Sequence, residues 1–246
     1  MRAVILAGGL GTRLRPYTTI IPKPLVPVGD RPILEHIIGR LGSAGVRKVD
    51  LCVSHLGELI QLYFSQAANL PEDLELEFHW ENEPLGTAGA LRTVPGLDET
   101  FIAMNGDILT SLDYADLVAF HHEQGAALTI ACHNKKVDID LGVIETNGND
   151  NVVVGYREKP TLDYDVSMGI YVYEPRALKF LPDGPCQFPD LVLRLLDGGE
   201  KVAAYKSDAD WYDIGTIGEY ERAIADTKLF EYDVETARRL ERSRLP

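Results

Sequence analysis

Apolar positions recur along this chain with two different periods. Residues 2–7 (RAVILA) form a short continuous apolar run stopped by Gly8 and Gly9, the pattern of a strand buried on both faces. A stretch punctuated by glycine and proline runs from Gly8 to Pro32. After it Ile33, Leu34, Ile37, Ile38 and Leu41 recur at helical spacing, and Gly42 and Gly45 close that helix. Residues 48–54 (KVDLCVS) read as a strand, Leu56, Leu59, Ile60, Tyr63 and Phe64 as a helix, and Leu74, Leu76, Phe78 and Trp80 as a strand. A glycine-broken helix at 86–94 leads into the strand 101–105 (FIAMN), and a helix carrying His121 and His122, expected to be half-exposed and without metal-ligand spacing, comes next. Strand, helix and strand joined by short turns predict a parallel-rich sheet with helices on both faces.

Beyond residue 126 the pattern changes. Residues 127–132, 141–145, 151–156 and 166–173 read as strands with little helix between them, so this half adds antiparallel strands and hairpins. Helices return at about 188–197 and 216–232. No repeat, low-complexity tract or linker divides the chain, and a single domain over 1–246 is expected.

Composition narrows the partners. Hydrophobic residues make up 45% of the 246 and the formal charge is -14. The first allows a packed core; the second argues against nucleic acid or an anionic membrane surface as partner. Any phosphate site must therefore be built from specific residues. Cys52, Cys132 and Cys186 are far apart and fit neither a disulfide framework nor a zinc spacing, so they are read as core residues of a reduced, cytoplasmic protein. No run approaches the ~18 apolar residues of a membrane span, and the N-terminal run is too short for a signal-peptide core.

Candidate chemistry begins where the first strand ends. The string Gly8-Gly9-Leu10-Gly11-Thr12-Arg13-Leu14 is followed by Pro22-Lys23-Pro24. Glycines at a strand's carboxyl end let backbone amides approach a phosphate. A dinucleotide fingerprint would need a third glycine where Leu14 stands, and a Walker-type loop would need Gly-Lys-Ser/Thr; both are absent. There remains a glycine turn with an arginine fork and a lysine point charge on a proline-stiffened loop. Asp107 ends the strand-turn Phe101 to Asp107, where an open sheet places its ligands and a carboxylate can hold a hard cation. Read alone it is equally a turn-former, and Asp213, in Trp211-Tyr212-Asp213-Ile214-Gly215-Thr216, is equally a residue near a helix cap.

The whole string GGLGTRLRPYT followed by IPKPLVPV resembles the signature of the sugar-phosphate nucleotidyltransferases, also called nucleotide-sugar pyrophosphorylases. The resemblance implies a Rossmann-like three-layer α/β/α fold with a mixed, mostly parallel central sheet and a small antiparallel sugar-binding part. Residues of about 1–125 would form the nucleotide-binding half and about 126–230 the sugar-binding half. The reaction implied joins a nucleoside triphosphate to a sugar 1-phosphate and requires Mg2+. By position, Leu6, Gly8, Gly9, Gly11 and Thr12 would bind the nucleotide, with Arg13 and Lys23 as catalytic cations. Glu81, Pro84, Gly86 and Thr87 fall where the family recognises the base, and the P-L-G-T-A-G form looks most like its guanylyltransferase branch, acting on mannose 1-phosphate or a related sugar. Uridylyl and thymidylyl transfer to a hexose 1-phosphate remain alternatives. Asp107 and Asp213 match the metal-binding aspartates. Glu158 and Lys159 match an E-K-P element that holds the sugar and its phosphate, with Lys159 also catalytic. Asn105, Gly142 and Gly169 complete the implied sugar-phosphate pocket.

Two other classes compete with this reading. A non-catalytic nucleotide-sugar-binding module on the same fold would lack one of Arg13, Lys23, Asp107, Lys159 or Asp213, yet all are here. A nicotinamide-dependent oxidoreductase is disfavoured by Leu14. Several relatives append a left-handed β-helix domain, which is not expected within these 246 residues. Residues 231–246, charged and with helical spacing, are expected to form a tail that caps the domain or serves a homodimer contact.

Overall fold

The computed structural model describes residues 1–226 apart from 10, 67–69, 72 and 149. In chain order the first strands are β1 (Arg2–Leu6), β2 (Pro27–Val28), β3 (Arg31–Pro32), β4 (Lys48–Val53), β5 (Glu75–Trp80), β6 (Phe101–Asn105) and β7 (Ile108–Thr110). They are followed by β8 (Leu128–Asp138), β9 (Val143–Thr146), β10 (Val153–Arg157), β11 (Thr161–Tyr173), β12 (Val202–Ser207) and β13 (Trp211–Asp213). The helices are α1 (Ile33–Ser43), α2 (Gly57–Gln66), α3 (Gly86–Gly89), α4 (Tyr114–Gln124), α5 (Phe188–Asp197) and α6 (Ile217–Ala225).

Seven strands pair in the order β12-β8-β11-β6-β1-β4-β5. β1 lies parallel to β4 and β6, β4 to β5, and β12 to β8; β11 alone runs against its neighbours. The sheet is thus mixed and mostly parallel, and it runs through both halves of the chain. Ala3 and Ile5 of β1 enter a core shared with α1, α4 and α6, whereas Val4 enters the opposite core with α3 and α5. Burial on both faces explains why residues 2–7 show no polar alternation. Local chemistry agrees: Asp113 Oδ1 accepts from the N–H groups of Ala115 (2.8 Å) and Asp116 (3.1 Å), capping α4.

Three features differ from the sequence reading. Strand β12 has only Val202, Ala203, Ala204 and Tyr205 as an apolar run, too short and too small to stand out, and it is placed by pairing on the edge beside β8. On α4 the histidine pair is split. His122 is exposed, but His121 turns inward at 1% exposure, with Nδ1 2.7 Å from Thr129 Oγ1 and Nε2 3.3 Å from Glu174. The ribbon of β7 and β13 is also unforeseen and bears directly on the site. The expected tail at 231–246 lies outside the described residues, as does the end of the helix expected over 216–232. Among the described residues no helix is long and apolar enough to cross a membrane.

Candidate active site

A cleft of about 680 Å³ opens at the carboxyl ends of four adjacent parallel strands. Its wall is made by the residues just past each strand: Leu6 to Gly9 at β1, Ser54 and His55 at β4, Glu81 to Pro84 at β5, and Asn105 to Asp107 at β6. Open α/β sheets place ligands there because helix starts and loops diverge at those ends. The volume suits a nucleotide-sized ligand.

The floor carries the charged groups. Asp107 lies just past β6, and the β7–β13 ribbon sets Asp213 opposite Ile108, while the Ile214 N–H donates to the Asp107 carbonyl at 3.1 Å. Two carboxylates are thereby brought together from positions far apart in sequence. Burial, reinforced by the Asp107 charge, pushes the Asp213 carboxyl above the ordinary aspartate range. Lys23 forms an ion pair with Asp107 Oδ2. It is held in a single 3-10 turn, Lys23–Leu25, where Leu25 N–H donates to the Pro22 carbonyl (2.8 Å) and Val26 N–H to that of Lys23 (3.0 Å). Arg13 is exposed but lies near this floor, its Nη2 3.4 Å from where a Cβ on Gly215 would stand. Asp107 Oδ1 is buried with no hydrogen-bond partner among the described residues. A hard divalent cation seeks an oxygen of that kind, next to a second carboxylate whose charge is unfavourable where it stands. The donor set fits Mg2+.

A second acidic group is unlike this one. Ligand atoms of Asp50, Glu77 and His79 lie within 4.8 Å of one another on β4 and β5. Arg2 engages both Asp50 oxygens (2.6 and 2.9 Å), His79 Nε2 is 2.7 Å from Oδ1, and Lys48 holds Glu77 at 2.7 Å. Protein cations already neutralise these carboxylates, which leaves a structural ion-pair network across β1, β4 and β5, away from the residues that line the cleft.

Of the residues singled out in the sequence, Leu6, Gly8, Gly9, Lys23, Glu81, Pro84, Gly86, Thr87, Asn105 and Asp107 line the cleft. Gly11 and Thr12 do not. Gly11, at φ 60°, serves the loop's own packing: a Cβ there would stand 3.0 Å from Lys23 Cβ and 3.1 Å from Thr18 Cγ2, and Thr18 Oγ1 donates to the Gly11 carbonyl (2.7 Å). Gly142, Glu158 and Lys159 also lie away from the cleft wall. Gly142 backs onto the Tyr156 hydroxyl, which donates to Glu158 Oε2 at 2.8 Å, and Lys159 sits exposed at φ 43° in the turn between β10 and β11. Gly169 stands between the two regions, where the β8–β11 ladder shifts register.

At φ 74°, a Cβ on Gly169 would approach Asn105 Nδ2 to 2.7 Å. Gly169→Ala is therefore expected to cost about 1–3 kcal/mol in backbone strain alone and to displace Asn105 from the cleft. Thermal unfolding should show a Tm lower by several degrees; an unchanged Tm would contradict the contact.

Ser54, His55, Asn82 and Gln187 also line the cleft and were not singled out in the sequence. The first three lie just past strands β4 and β5, so the carboxyl-end rule could have found them. Gln187 carries no such signal. It starts α5 more than ninety residues on in the chain and reaches the cleft because Cys186 binds the 85–89 segment: its carbonyl accepts from Ala88 and Gly89 (3.0 Å each) and its N–H donates to Leu85 (2.8 Å).

Known proteins share this outline. Residues 2–228 match the family described as nucleotidyl transferase. A UTP–glucose-1-phosphate uridylyltransferase of Synechocystis sp. is 33% identical over 244 residues, covering 91% of this chain and 62% of that protein. A mannose-1-phosphate guanylyltransferase of Mycobacterium tuberculosis is 33% identical over 234 residues, covering 91% and 64%. The chain thus spans somewhat over three fifths of the length of the curated relatives it matches. The crystal structure of HddC from Yersinia pseudotuberculosis superposes with a TM-score of 0.69 at 28% identity, covering 92% of this chain and 98% of that one. The same protein complexed with GMP-PN is equally similar, at 0.69 and 27%. With a match that spans the described residues from Arg2 onward, and with Gly8, Gly9, Lys23 and Asp107 lining one cleft, the chain belongs to the nucleotidyl transferase family.

Proposed function

We propose that this chain transfers a nucleotidyl group from a nucleoside triphosphate to a sugar 1-phosphate, releasing pyrophosphate, with Mg2+ held by Asp107 and Asp213. The observation that carries the reading is the buried, unpartnered Asp107 Oδ1 beside Asp213, at the end of a cleft whose wall is the glycine loop. In the step proposed, an oxygen of the sugar 1-phosphate attacks the α-phosphorus in line and forms a new P–O bond. The bond from that phosphorus to the β-phosphate's bridging oxygen breaks, and pyrophosphate leaves with the electron pair. The attacking phosphate is already ionised at neutral pH, so no general base is needed.

Electrostatics decide what the chain must supply. Two unit charges of like sign at ~5 Å repel by roughly 3 kcal/mol at an effective dielectric near 20. Among the described residues lining the cleft, Lys23 faces Asp107, Glu81 and Glu83, so the wall alone is a poor host for two phosphorylated anions. A divalent ion on the two aspartates would supply the missing positive charge and screen the approach. Lys23 would hold the triphosphate against the glycine loop, and Arg13, beside Asp213, would face the charge of the departing pyrophosphate. The work is positioning and charge neutralisation.

Lys159 and Glu158 are proposed to bind the sugar 1-phosphate from the β10–β11 turn, across Gly169 and Asn105. Lys159→Ala is then expected to raise the KM for sugar 1-phosphate about tenfold or more while moving that for triphosphate little, by steady-state kinetics. An equal effect on both would remove it from that role.

The donor base is proposed to be guanine and the acceptor mannose 1-phosphate or a related sugar phosphate. The P-L-G-T-A-G form of residues 84–89 supports this. So does the similarity to a guanylyltransferase and to a protein crystallised with GMP-PN. Uridylyl transfer is the second reading, favoured by the Synechocystis relative. A matrix of nucleoside triphosphates against sugar 1-phosphates, read as pyrophosphate, separates them.

A further inference from the structure

One carboxylate near the aspartate pair belongs neither to the cleft wall nor to the proposed metal site. Glu219 sits in the first turn of α6, three residues after Thr216, which caps that helix. The two cap each other. Thr216 Oγ1 accepts from the Glu219 N–H at 3.4 Å, and Glu219 Oε2 reaches back to accept from the Gly215 N–H at 3.3 Å. A glutamine would serve such a start equally well, because the box needs only an acceptor oxygen at that position. The charge of Glu219 therefore calls for a second explanation.

Gly215 shows what that charge faces. A Cβ there would stand 3.4 Å from Glu219 Oε2, 3.4 Å from Arg13 Nη2 and 3.5 Å from Asp213 Oδ1. One guanidinium and two carboxylates thus crowd around a single point above the turn. Arg13 is exposed and, among the described residues, forms no hydrogen bond or ion pair. Glu219 Oε1 also has no hydrogen-bond partner among them. Lys23 is already engaged by Asp107, and a metal ion on the two aspartates would take up the charge of Asp213. Glu219 is then the anion left for the guanidinium. Its charge is a burden to the metal site: behind burial and Asp107, it is among those that push the Asp213 carboxyl up. Arg13 is the neighbour that gains from it.

We propose that Glu219 is a positioning residue for Arg13, its carboxylate keeping the guanidinium beside Asp213 and turned toward the pyrophosphate end of the triphosphate. This rests on the reading of Arg13 as the cation that meets the departing pyrophosphate. An exposed arginine has much side-chain freedom to lose when it grips an anion. A carboxylate on one edge of the planar fork fixes its plane and leaves the other edge for phosphate oxygens. Freedom surrendered beforehand is not lost again on binding. The sign of the effect separates this role from a plain field effect. If charge alone mattered, deleting a carboxylate near an anion site would tighten pyrophosphate binding. Positioning requires the opposite.

The test uses equilibrium binding. Inorganic pyrophosphate with Mg2+ is titrated calorimetrically into the protein, Glu219→Gln, Arg13→Ala and the double variant. Glutamine keeps the capping acceptor, so the Tm of Glu219→Gln should stay close to that of the parent. Its pyrophosphate affinity should fall about fivefold, the size expected of a solvent-accessible charge pair. Arg13→Ala should lose about tenfold or more. With Arg13 gone, Glu219→Gln should bring no further loss. Equal or tighter binding by Glu219→Gln would overturn the proposal, and so would a full further loss in the double variant. Mn2+ affinity without pyrophosphate should not change; a parallel fall would put Glu219 on the ion and overturn the positioning role. A crystal structure of the unaltered protein with Mg2+ and pyrophosphate should show Arg13 between Glu219 and the anion. A guanidinium turned away from Glu219 would overturn the proposal whatever the variants' folding. If Arg13→Ala binds pyrophosphate as the parent does, the reading of Arg13 falls and the proposal with it. If the binding pattern holds but no sugar 1-phosphate yields pyrophosphate, the transferase reading falls and the positioning stands.

Discussion

Asp107→Asn is expected to keep the circular dichroism spectrum of the parent and to lose metal-dependent pyrophosphate release by on the order of 10³-fold. The substitution keeps the side chain's shape and removes its charge. Asp107 does two things at once: Oδ2 pairs with Lys23, and Oδ1 stands buried and unpartnered. An amide oxygen at the second position is a far weaker ligand for a hard cation than a carboxylate. An amide nitrogen there would turn a donor toward the ion. Binding of Mn2+, followed by electron paramagnetic resonance, should weaken in parallel with activity. Full activity in a folded variant would remove Asp107 from the metal site.

Lys23→Ala is expected to show a large effect of a different kind. Lys23 is 8% exposed, and its ammonium is the protein cation paired with Asp107. Without it two neighbouring carboxylates face each other in a partly buried floor. Removing one member of a fully buried pair costs several kcal/mol. Asp107 retains 23% of its side-chain exposure, so about 1–3 kcal/mol is expected here. Tm should fall by several degrees. Catalysis should fall by on the order of 10²-fold or more. The sign of the electrostatic argument can be read from two further measurements. Mg2+ should raise the Tm of Lys23→Ala more than that of the parent, because the ion replaces the missing charge. Lys23→Ala with Asp107→Asn should recover stability without recovering activity, a non-additivity expected of a contacting pair. A Lys23→Ala variant as stable as the parent would contradict the pairing.

Much of this architecture is legible in the sequence, for identifiable reasons. β1 has no polar alternation because both its faces are covered, and α1 repeats its apolar residues with the helical period because one stripe of it is buried. Strong periodicity survives any tertiary context. β12 is weakly marked because its identity comes from docking beside β8. The same reasoning separates the site residues. Gly8, Gly9 and Asp107 come directly after strongly patterned strands, so their place at the carboxyl ends is set by the strands themselves. Asp213 could not be placed that way. Its position depends on the β7–β13 ribbon, a pairing of residues separated by about a hundred positions that has no local signal. Gln187 is hidden for the same reason. His121 shows the converse: its neighbours suggest a half-exposed helix, and only the approach of Thr129 and Glu174 makes a buried polar residue acceptable.

The acidic balance of the chain gains a local meaning in the cleft. A formal charge of -14 does not prevent phosphate binding if the site takes its positive charge from a metal ion as well as from lysine and arginine. In the proposed reaction the paired aspartates would be the means of doing so.

The most direct measurement is pyrophosphate release from GTP and mannose 1-phosphate, with the triphosphate, the sugar phosphate and Mg2+ each omitted in turn. Release is expected only when all three are present, together with an equal amount of nucleotide-diphospho-sugar. Release that persists without Mg2+ or without any sugar phosphate would contradict the account, as would its absence across every pairing of triphosphate and sugar 1-phosphate.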